Sequence, residues 1–171
     1  MPAPPLRISL MAGFWAITAV LVGDGLARDL FAGELDPRPL SALPADVQPL
    51  VKALQQHGFR VQVALPPRPG AYGQFEPRSR TLWVSPLSLE LGIGRQTFLH
   101  EAVHAVQSCP NGVVSPIGWS LPLDPAVERG INVTLYHGYP TNKAVEREAF
   151  ALQGQSDAVP LLLETLRRRC R

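Results

Sequence analysis

The chain has 171 residues, enough for one domain or for one domain with a targeting segment. Apolar residues make up 46% of it, which suffices to build a hydrophobic core. Its 18 prolines predict many loops and short elements rather than a bundle of long helices. The formal net charge of +2 is too small to indicate a nucleic-acid partner, so we expect a small globular domain that binds no nucleic acid.

The first 27 residues have the pattern of a secretory signal. Arg7 precedes an uncharged run from Ile8 to Val22, and Gly25 and Ala27 supply a small-x-small exit. The run is shorter than the ~18–20 residues of a membrane span. Cleavage and export to a periplasmic, lumenal or secreted location is the favoured interpretation. A retained anchor with membrane association and a buried N-terminal helix of a cytosolic protein remain alternatives.

Whether the two cysteines, Cys109 and Cys170, are paired or free depends on whether the protein is exported. In an exported protein they could pair and tie the end of a central helix to the C-terminus, whereas in the cytosol they would be free thiols.

Residues 28–44 are rich in Pro, Asp and Gly and predict a linker or loosely packed arm, which leaves residues 45–171 as the folded domain. Apolar spacing and the positions of Gly and Pro predict the elements that follow. Helices are expected over Ala45–His57, Leu87–Leu91, Arg95–Ser108, Asn142–Gln155 and Ala158–Arg169, and strands over Phe59–Leu65, Tyr72–Glu76 and Arg80–Ser85. Val127–Leu135 is either a short helix or a turn. The fold class is α+β, with a short, mostly antiparallel sheet from residues 59–85 over the helix 95–108 and a later helix packed across that helix.

The helix 95–108 contains the pattern His-Glu-x-x-His. His100 and His104 are one helical turn apart, so both imidazoles lie on one face and reach the same ion. Glu101 lies close enough to take a proton from a zinc-bound water. The chain has only four histidines, so this pattern is rare by chance. It predicts His100 and His104 as zinc ligands and Glu101 as the catalytic base; the alternative is a pair of core histidines.

A third ligand is available on the helix 142–155, which carries Glu146 and Glu148. Residues two apart on a helix do not share a face, so one of them points at the metal and the other away. The spacing alone does not choose between them.

Together the two helices resemble those of the gluzincin metallopeptidases, and more narrowly the minimal members with a Glu-x-Glu-Ala motif. The resemblance covers about residues 97–155. It implies a zincin-like fold, bound Zn²⁺ and Glu148, directly before Ala149, as the third ligand, with Glu146 a solvated partner of Lys143 or Arg147. Position 152 is Leu where the thermolysin pattern has Asp, so support for a zinc-bound imidazole must come from another group.

Three further features fit a peptidase. In the resembling enzymes an edge strand before the metal helix binds the substrate backbone, which here would be Thr81–Ser85; a core strand is the alternative. A side chain among Tyr136, His137 and Tyr139 could steady an oxyanion, although packing is the commoner role. Gln107 either orients a ligand or simply ends the helix.

The motif predicts a zinc-dependent hydrolase, and the resemblance implies a peptidase that acts on a peptide or protein substrate. One alternative is a non-catalytic, zinc-stabilised binding or assembly module of the cell envelope that uses the same ligands. Another is a hydrolase of non-peptide amides, which would share the chemistry and differ in its pocket.

Overall fold

A computed structural model describes residues 35–138 and 143–171 of the protein, with the backbone alone for residues 133–138. The leader predicted at residues 1–27 lies outside the described residues. The described residues belong to one compact unit. Within them, no helix combines the length and the apolarity that crossing a membrane requires.

The elements follow the predicted order and give the predicted α+β fold class. Two 3₁₀ turns, Leu40–Ala42 and Ala45–Val47, come before the first α-helix. The helices are α1 (Gln48–Gln56), α2 (Pro86–Glu90), α3 (Gly94–Gln107), α4 (Pro125–Gly138), α5 (Lys143–Gln153) and α6 (Ala158–Arg169). The strands are β1 (Arg60–Val63), β2 (Gly73–Glu76) and β3 (Thr81–Val84). The segment that the sequence left undecided is helix α4.

The sheet differs from its prediction in pairing and order. The strand order is β1-β3-β2, with β1 and β3 parallel and β2 and β3 antiparallel, so the sheet is mixed rather than mostly antiparallel. A tight turn joins β2 to β3 and forces the antiparallel pair, whereas β1 is separated from β3 by enough chain to run parallel to it. Strand β3 is central, since Leu82 pairs with Val61 on one side and with Phe75 on the other.

Helix α3 lies at the centre of the core and contacts β2, β3, α5 and α6. Most of its surface is buried against these neighbours. Its fully buried apolar residues are Phe98, Leu99, Ala102, Val103, Ala105 and Val106. The glutamate-bearing helix α5 packs across it, as predicted. The two histidines are thereby carried on a helix whose position is fixed from several sides.

Both ends of the domain are fastened to this core. Upstream, the Arg38 N–H donates to the Val63 carbonyl at 2.8 Å and Leu43 is buried, so the packed chain begins before residue 45. Downstream, a disulfide joins Cys109, just after α3, to Cys170, just after α6. The pairing expected of an exported protein is therefore present.

Candidate metal centre

Helices α3 and α5 bring three ligand groups together: His100, His104 and Glu146. The two Nε2 atoms lie 3.1 Å apart. The Glu146 Oε2 atom lies 3.4 Å from Nε2 of His100 and 3.6 Å from Nε2 of His104. Ligand atoms bonded to zinc at ~2.0–2.1 Å in tetrahedral geometry are about 3.3 Å from one another, so the spacing fits. Among the side chains that the structure describes, this is the one group of three or more that could bind a metal ion.

Glu148 is not part of this group, which corrects the expectation that it is the third ligand. Its carboxylate is buried and turned toward the loop after α3, where Oε1 accepts the N–H groups of Gly118 at 2.6 Å and Trp119 at 3.0 Å. Its Oε2 accepts the N–H of Ile117 at 2.7 Å and the amide of Gln107 at 2.9 Å. Both oxygens already have hydrogen-bond donors.

The apolar spacing of α5 carries the physical reason for this arrangement. Glu148 lies on the helix face of Val145, Ala149 and Leu152, all of which are buried in the core. Glu146 lies on the other face, with Phe150 and Gln153 four and seven residues further on. Arg147, its expected partner, pairs instead with Glu128. A glutamate within the apolar face must meet buried donors, and this pattern was readable in the sequence.

Glu101 lies beside this group of side chains, and only 8% of its surface is exposed. Burial raises the pKa of the Glu101 carboxyl, against the opposing effect of the neighbouring His100 and His104. The N–H of Phe75 faces the carboxylate and offsets a part of the effect of burial on its pKa. A carboxylate with a raised pKa is a stronger base, which suits proton abstraction near neutral pH.

Gly73, which the sequence analysis did not single out, allows this contact between β2 and α3. A Cβ atom at Gly73 would lie 2.7 Å from Thr97 Cγ2 and 2.8 Å from both Cγ and Oε1 of Glu101. No side chain fits there, so the strand can approach Glu101 only at a glycine. A glycine inside a strand is a known sign of close backbone approach and could have indicated this position.

The imidazoles and Glu146 form a charged cluster. Burial opposes protonation of His104, but the nearby Glu146 carboxylate and the charge of Glu101 outweigh burial and raise the pKa of His104. Burial likewise opposes ionisation of Glu146, but the adjacent imidazoles of His100 and His104 outweigh it and hold the Glu146 pKa far below its ordinary value. The site therefore attracts positive charge, whether a proton or a metal cation.

Amides, rather than carboxylates, support the two imidazoles. The Nδ1 atom of His104 lies 2.8 Å from Gln107 Oε1, and that of His100 lies 3.1 Å from Gln153 Oε1. These contacts supply the support that Leu152 cannot. Gln107 is the last residue of α3, and its side chain also contacts His104, so the two roles considered for it, ending the helix and orienting an imidazole, occur together. Gln153 was missed, although it is two helical turns beyond Glu146.

An open cleft of about 300 Å³ lies over the metal-ligating group. Its walls come from β2, from Ala71 before that strand, from Ile131 of α4 and from Phe150 of α5. The Phe150 ring meets the His100 ring edge to face, with centroids 4.6 Å apart. A second depression of about 360 Å³, with Tyr72 and Ile93 in its wall, shares His100, Glu101 and Phe150 with the first. The two depressions are therefore adjacent, on either side of residues that they share.

Strand β2, and not the predicted segment Thr81–Ser85, borders the cleft. Strand β3 is paired on both sides, so its backbone cannot bind an added strand; this corrects the predicted edge strand. The backbone of Tyr136 and His137 belongs to α4, but their side chains are outside the described part of the chain. All of Tyr139 is outside it as well.

No known protein family, curated protein or solved structure matches the chain. What the protein does has therefore to follow from its own residues and their geometry.

Proposed function

We propose that the protein is a zinc-dependent peptidase of the gluzincin type. His100, His104 and Glu146 hold the metal and Glu101 is the general base. The observation that carries the proposal is the position of a buried, raised-pKa glutamate beside three correctly spaced ligands in an open cleft.

The donor set suits zinc. Two imidazole nitrogens and one carboxylate oxygen are the ligands of many catalytic zinc sites, which leave a further position open, whereas structural sites are closed by four protein ligands. When bound, the ion would polarise the scissile carbonyl and make water a nucleophile at neutral pH. The open cleft above the three ligands favours a catalytic site over the structural alternative.

Glu101 handles the protons of the reaction. Its carboxylate takes a proton from the attacking water and passes it to the departing amine nitrogen, a role that typically contributes ~10²–10⁴-fold to the rate. Burial raises its pKa, which suits a group that first accepts a proton and then donates it.

The free edge of β2 favours an extended peptide as substrate. The Tyr72 carbonyl accepts the Ser85 N–H, so by antiparallel alternation the backbone groups of Gly73 and the carbonyl of Phe75 lie on the outer edge, where the Phe75 N–H faces Glu101. Within the described residues, no strand pairs with that edge. A peptide backbone can add there as a further strand, with its side chains against the apolar walls of the cleft. A small non-peptide amide would leave most of this edge unused.

We further propose that the protein is exported or membrane-anchored. The disulfide between Cys109 and Cys170 is of the kind that persists in oxidising compartments, in agreement with the signal-like pattern of residues 1–27.

Substitution of the base tests the proposal. We expect Glu101→Gln to keep one zinc per chain and to reduce turnover of a peptide library by ~10²–10⁴-fold, because the amide cannot accept the proton. Glu164→Gln, on the exposed face of α6, is the matched control and should change neither quantity. Zinc content is measured by elemental analysis and turnover by mass spectrometry of the products.

Three outcomes would contradict the proposal. One is wild-type protein that binds no stoichiometric zinc, and another is undiminished hydrolysis by Glu101→Gln. The third is a domain that shows no hydrolysis and unfolds when zinc is removed, which would favour the structural alternative.

A further inference from the structure

We propose that Gln107 and Glu148 form a positioning relay that sets the tautomer of His104 and couples the loop 115–119 to the metal centre. The proposal rests on the proposed function in that His104 is taken as a zinc ligand. Neither relay residue touches the metal, so both act through His104.

The relay begins at three consecutive backbone donors. The N–H groups of Ile117, Gly118 and Trp119 all donate to Glu148, at 2.7, 2.6 and 3.0 Å respectively. A carboxylate accepts hydrogen bonds and does not donate them. The Glu148 oxygen that faces Gln107 is therefore also an acceptor, so the Gln107 atom opposite it must be a donor.

The Gln107 amide has one allowed orientation as a result. Its Nε2 lies 2.9 Å from Glu148 Oε2 and 3.0 Å from the Val145 carbonyl, and both partners are acceptors. A flipped amide would place its own oxygen against two acceptors. Gln107 is fully buried, so water cannot compensate for the flip. The amide oxygen must therefore face His104.

The orientation of the amide then sets the tautomer of His104. Gln107 Oε1 lies 2.8 Å from His104 Nδ1, and an amide oxygen only accepts, so Nδ1 must carry the proton and donate it. The lone pair of neutral His104 is left on Nε2, the atom that faces Glu146 and His100. Outer-shell contacts of this kind fix ligand orientation and raise ligand basicity.

His100 provides an internal contrast. Its Nδ1 lies 3.1 Å from Oε1 of Gln153, which is only partly buried. Among the described residues, the Gln153 amide has no hydrogen-bond partner other than His100. Nothing in that part of the chain imposes an orientation on this amide, and it can turn to water. The relay is therefore specific to His104.

The loop at the far end of the relay is held in place. Arg169 donates to Ser115 Oγ at 2.9 Å and to the Cys109 carbonyl at 3.1 Å. The disulfide from Cys109 to Cys170 fastens the same region covalently. The backbone donors that orient Glu148 are thus fixed relative to helix α3, which lets the relay hold His104 in one state.

Isosteric substitutions test the relay through zinc affinity, measured by competition with a chromogenic chelator. Gln107→Met removes the acceptor at similar volume and should weaken zinc binding by ~10–100-fold while keeping one zinc per chain. Glu148→Gln should also weaken it, because each Glu148 oxygen accepts from two donors and two of the four donors must then meet an amide NH₂. Gln153→Met is the matched control, with an expected loss below ~10-fold.

The double variant of Gln107 and Glu148 should be no weaker than the worse single variant, since both changes break one relay. A purely structural role would instead lower the melting temperature and leave the zinc dissociation constant unchanged, which would overturn the proposal. Equal losses for Gln107→Met and Gln153→Met would also overturn it. Wild-type protein that binds no zinc would refute the proposed function itself.

A measurement on the unmodified protein covers the case in which the variants do not fold. In nitrogen-15 NMR of the zinc-loaded protein, His104 should carry its proton on Nδ1. That proton should exchange with water at least about 10-fold more slowly than the Nδ1 proton of His100, because Gln107 is buried and immobile. Zinc bound through Nδ1 of His104, or equal exchange rates, would overturn the relay.

Discussion

The two glutamates of helix α5 are separated by one residue and have opposite surroundings. Glu146 faces the imidazoles of His100 and His104, with 21% of its side chain exposed in the cleft. Glu148 faces the loop 115–119 and is buried, with three backbone N–H groups and one amide directed at it. One helix therefore contributes to the candidate metal site on one face and to the protein's internal framework on the other.

The difference shows what decides the role of a carboxylate in this fold. A buried carboxylate is stable only when donors or cations compensate its charge. Donors from the backbone already satisfy Glu148, which leaves it no need of a metal. The partners of Glu146 are two imidazoles, which carry either protons or a metal ion, so its surroundings change with the contents of the site.

The largest expected effect comes from exchanging each glutamate for its amide. Glu146→Gln should weaken zinc binding by at least about 100-fold, beyond the 10–100-fold typical of an outer-shell contact, because a charged ligand is lost. Glu148→Gln should retain one zinc per chain. Chelator competition and elemental analysis measure both. The comparison fails if Glu148→Gln is the variant that loses its zinc while Glu146→Gln keeps it.

A smaller effect is expected on the free energy of unfolding when the contact between Gly73 and Glu101 is disturbed. Gly73→Ala forces a methyl group into Thr97 and Glu101 and should cost ~1–3 kcal/mol in the free energy of unfolding, together with activity. Gly154→Ala is the control, since a Cβ atom added there would lie 4.0 Å from its nearest neighbour, the Ala151 carbonyl oxygen. Its free energy of unfolding should stay within about 0.5 kcal/mol of the wild-type value. Urea denaturation measures both. A neutral Gly73→Ala would show that β2 does not lie so close to Glu101.

The smallest effect is the pH dependence of the metal-free protein. His104 has a raised pKa, so its contribution to stability is complete below its ordinary value of 6.5 and is lost as pH rises through the folded-state pKa. Glu146 has a lowered pKa, so its contribution is complete above its ordinary value of 4.5 and is lost as pH falls. Buried Glu101, with a raised pKa, adds a cost as pH rises above 4.5.

We therefore expect the melting temperature in EDTA to be highest between about pH 4.5 and 6.5 and lower at pH 8. Differential scanning fluorimetry measures it. Glu146→Gln should reduce the difference between pH 6 and pH 8, since it removes the main partner of protonated His104. A melting temperature that rises steadily to pH 8 would contradict the charge balance described for the site.

The sequence predicted the features that depend on local spacing. His100 and His104 share a face because they are one helical turn apart on one element, and Glu101 follows from the same helix. The helices and strands follow from apolar periodicity in the same way, which gave the α+β class.

Features that depend on packing between elements were harder to predict. The choice between Glu146 and Glu148 depends on the rotation of α5 against α3, and the resemblance to the gluzincin metallopeptidases indicated Glu148, whose carboxylate is turned away from the two imidazoles. The sheet order depends on where β1 docks, which no short-range pattern encodes. The support for His100 and His104 comes from Gln153 and Gln107, residue types that occur in many other roles. The sequence pattern does indicate that Glu148 is buried, because Glu148 lies on the apolar face of α5 that Val145, Ala149 and Leu152 form.

Anomalous scattering at the zinc absorption edge from crystals of the zinc-loaded protein tests the central claim most directly. The account predicts one peak per chain, ~2.0–2.2 Å from Nε2 of His100, Nε2 of His104 and a carboxylate oxygen of Glu146. Glu148 should remain on the N–H groups of residues 117–119. A peak coordinated by Glu148, or no peak between the two imidazoles, would contradict it.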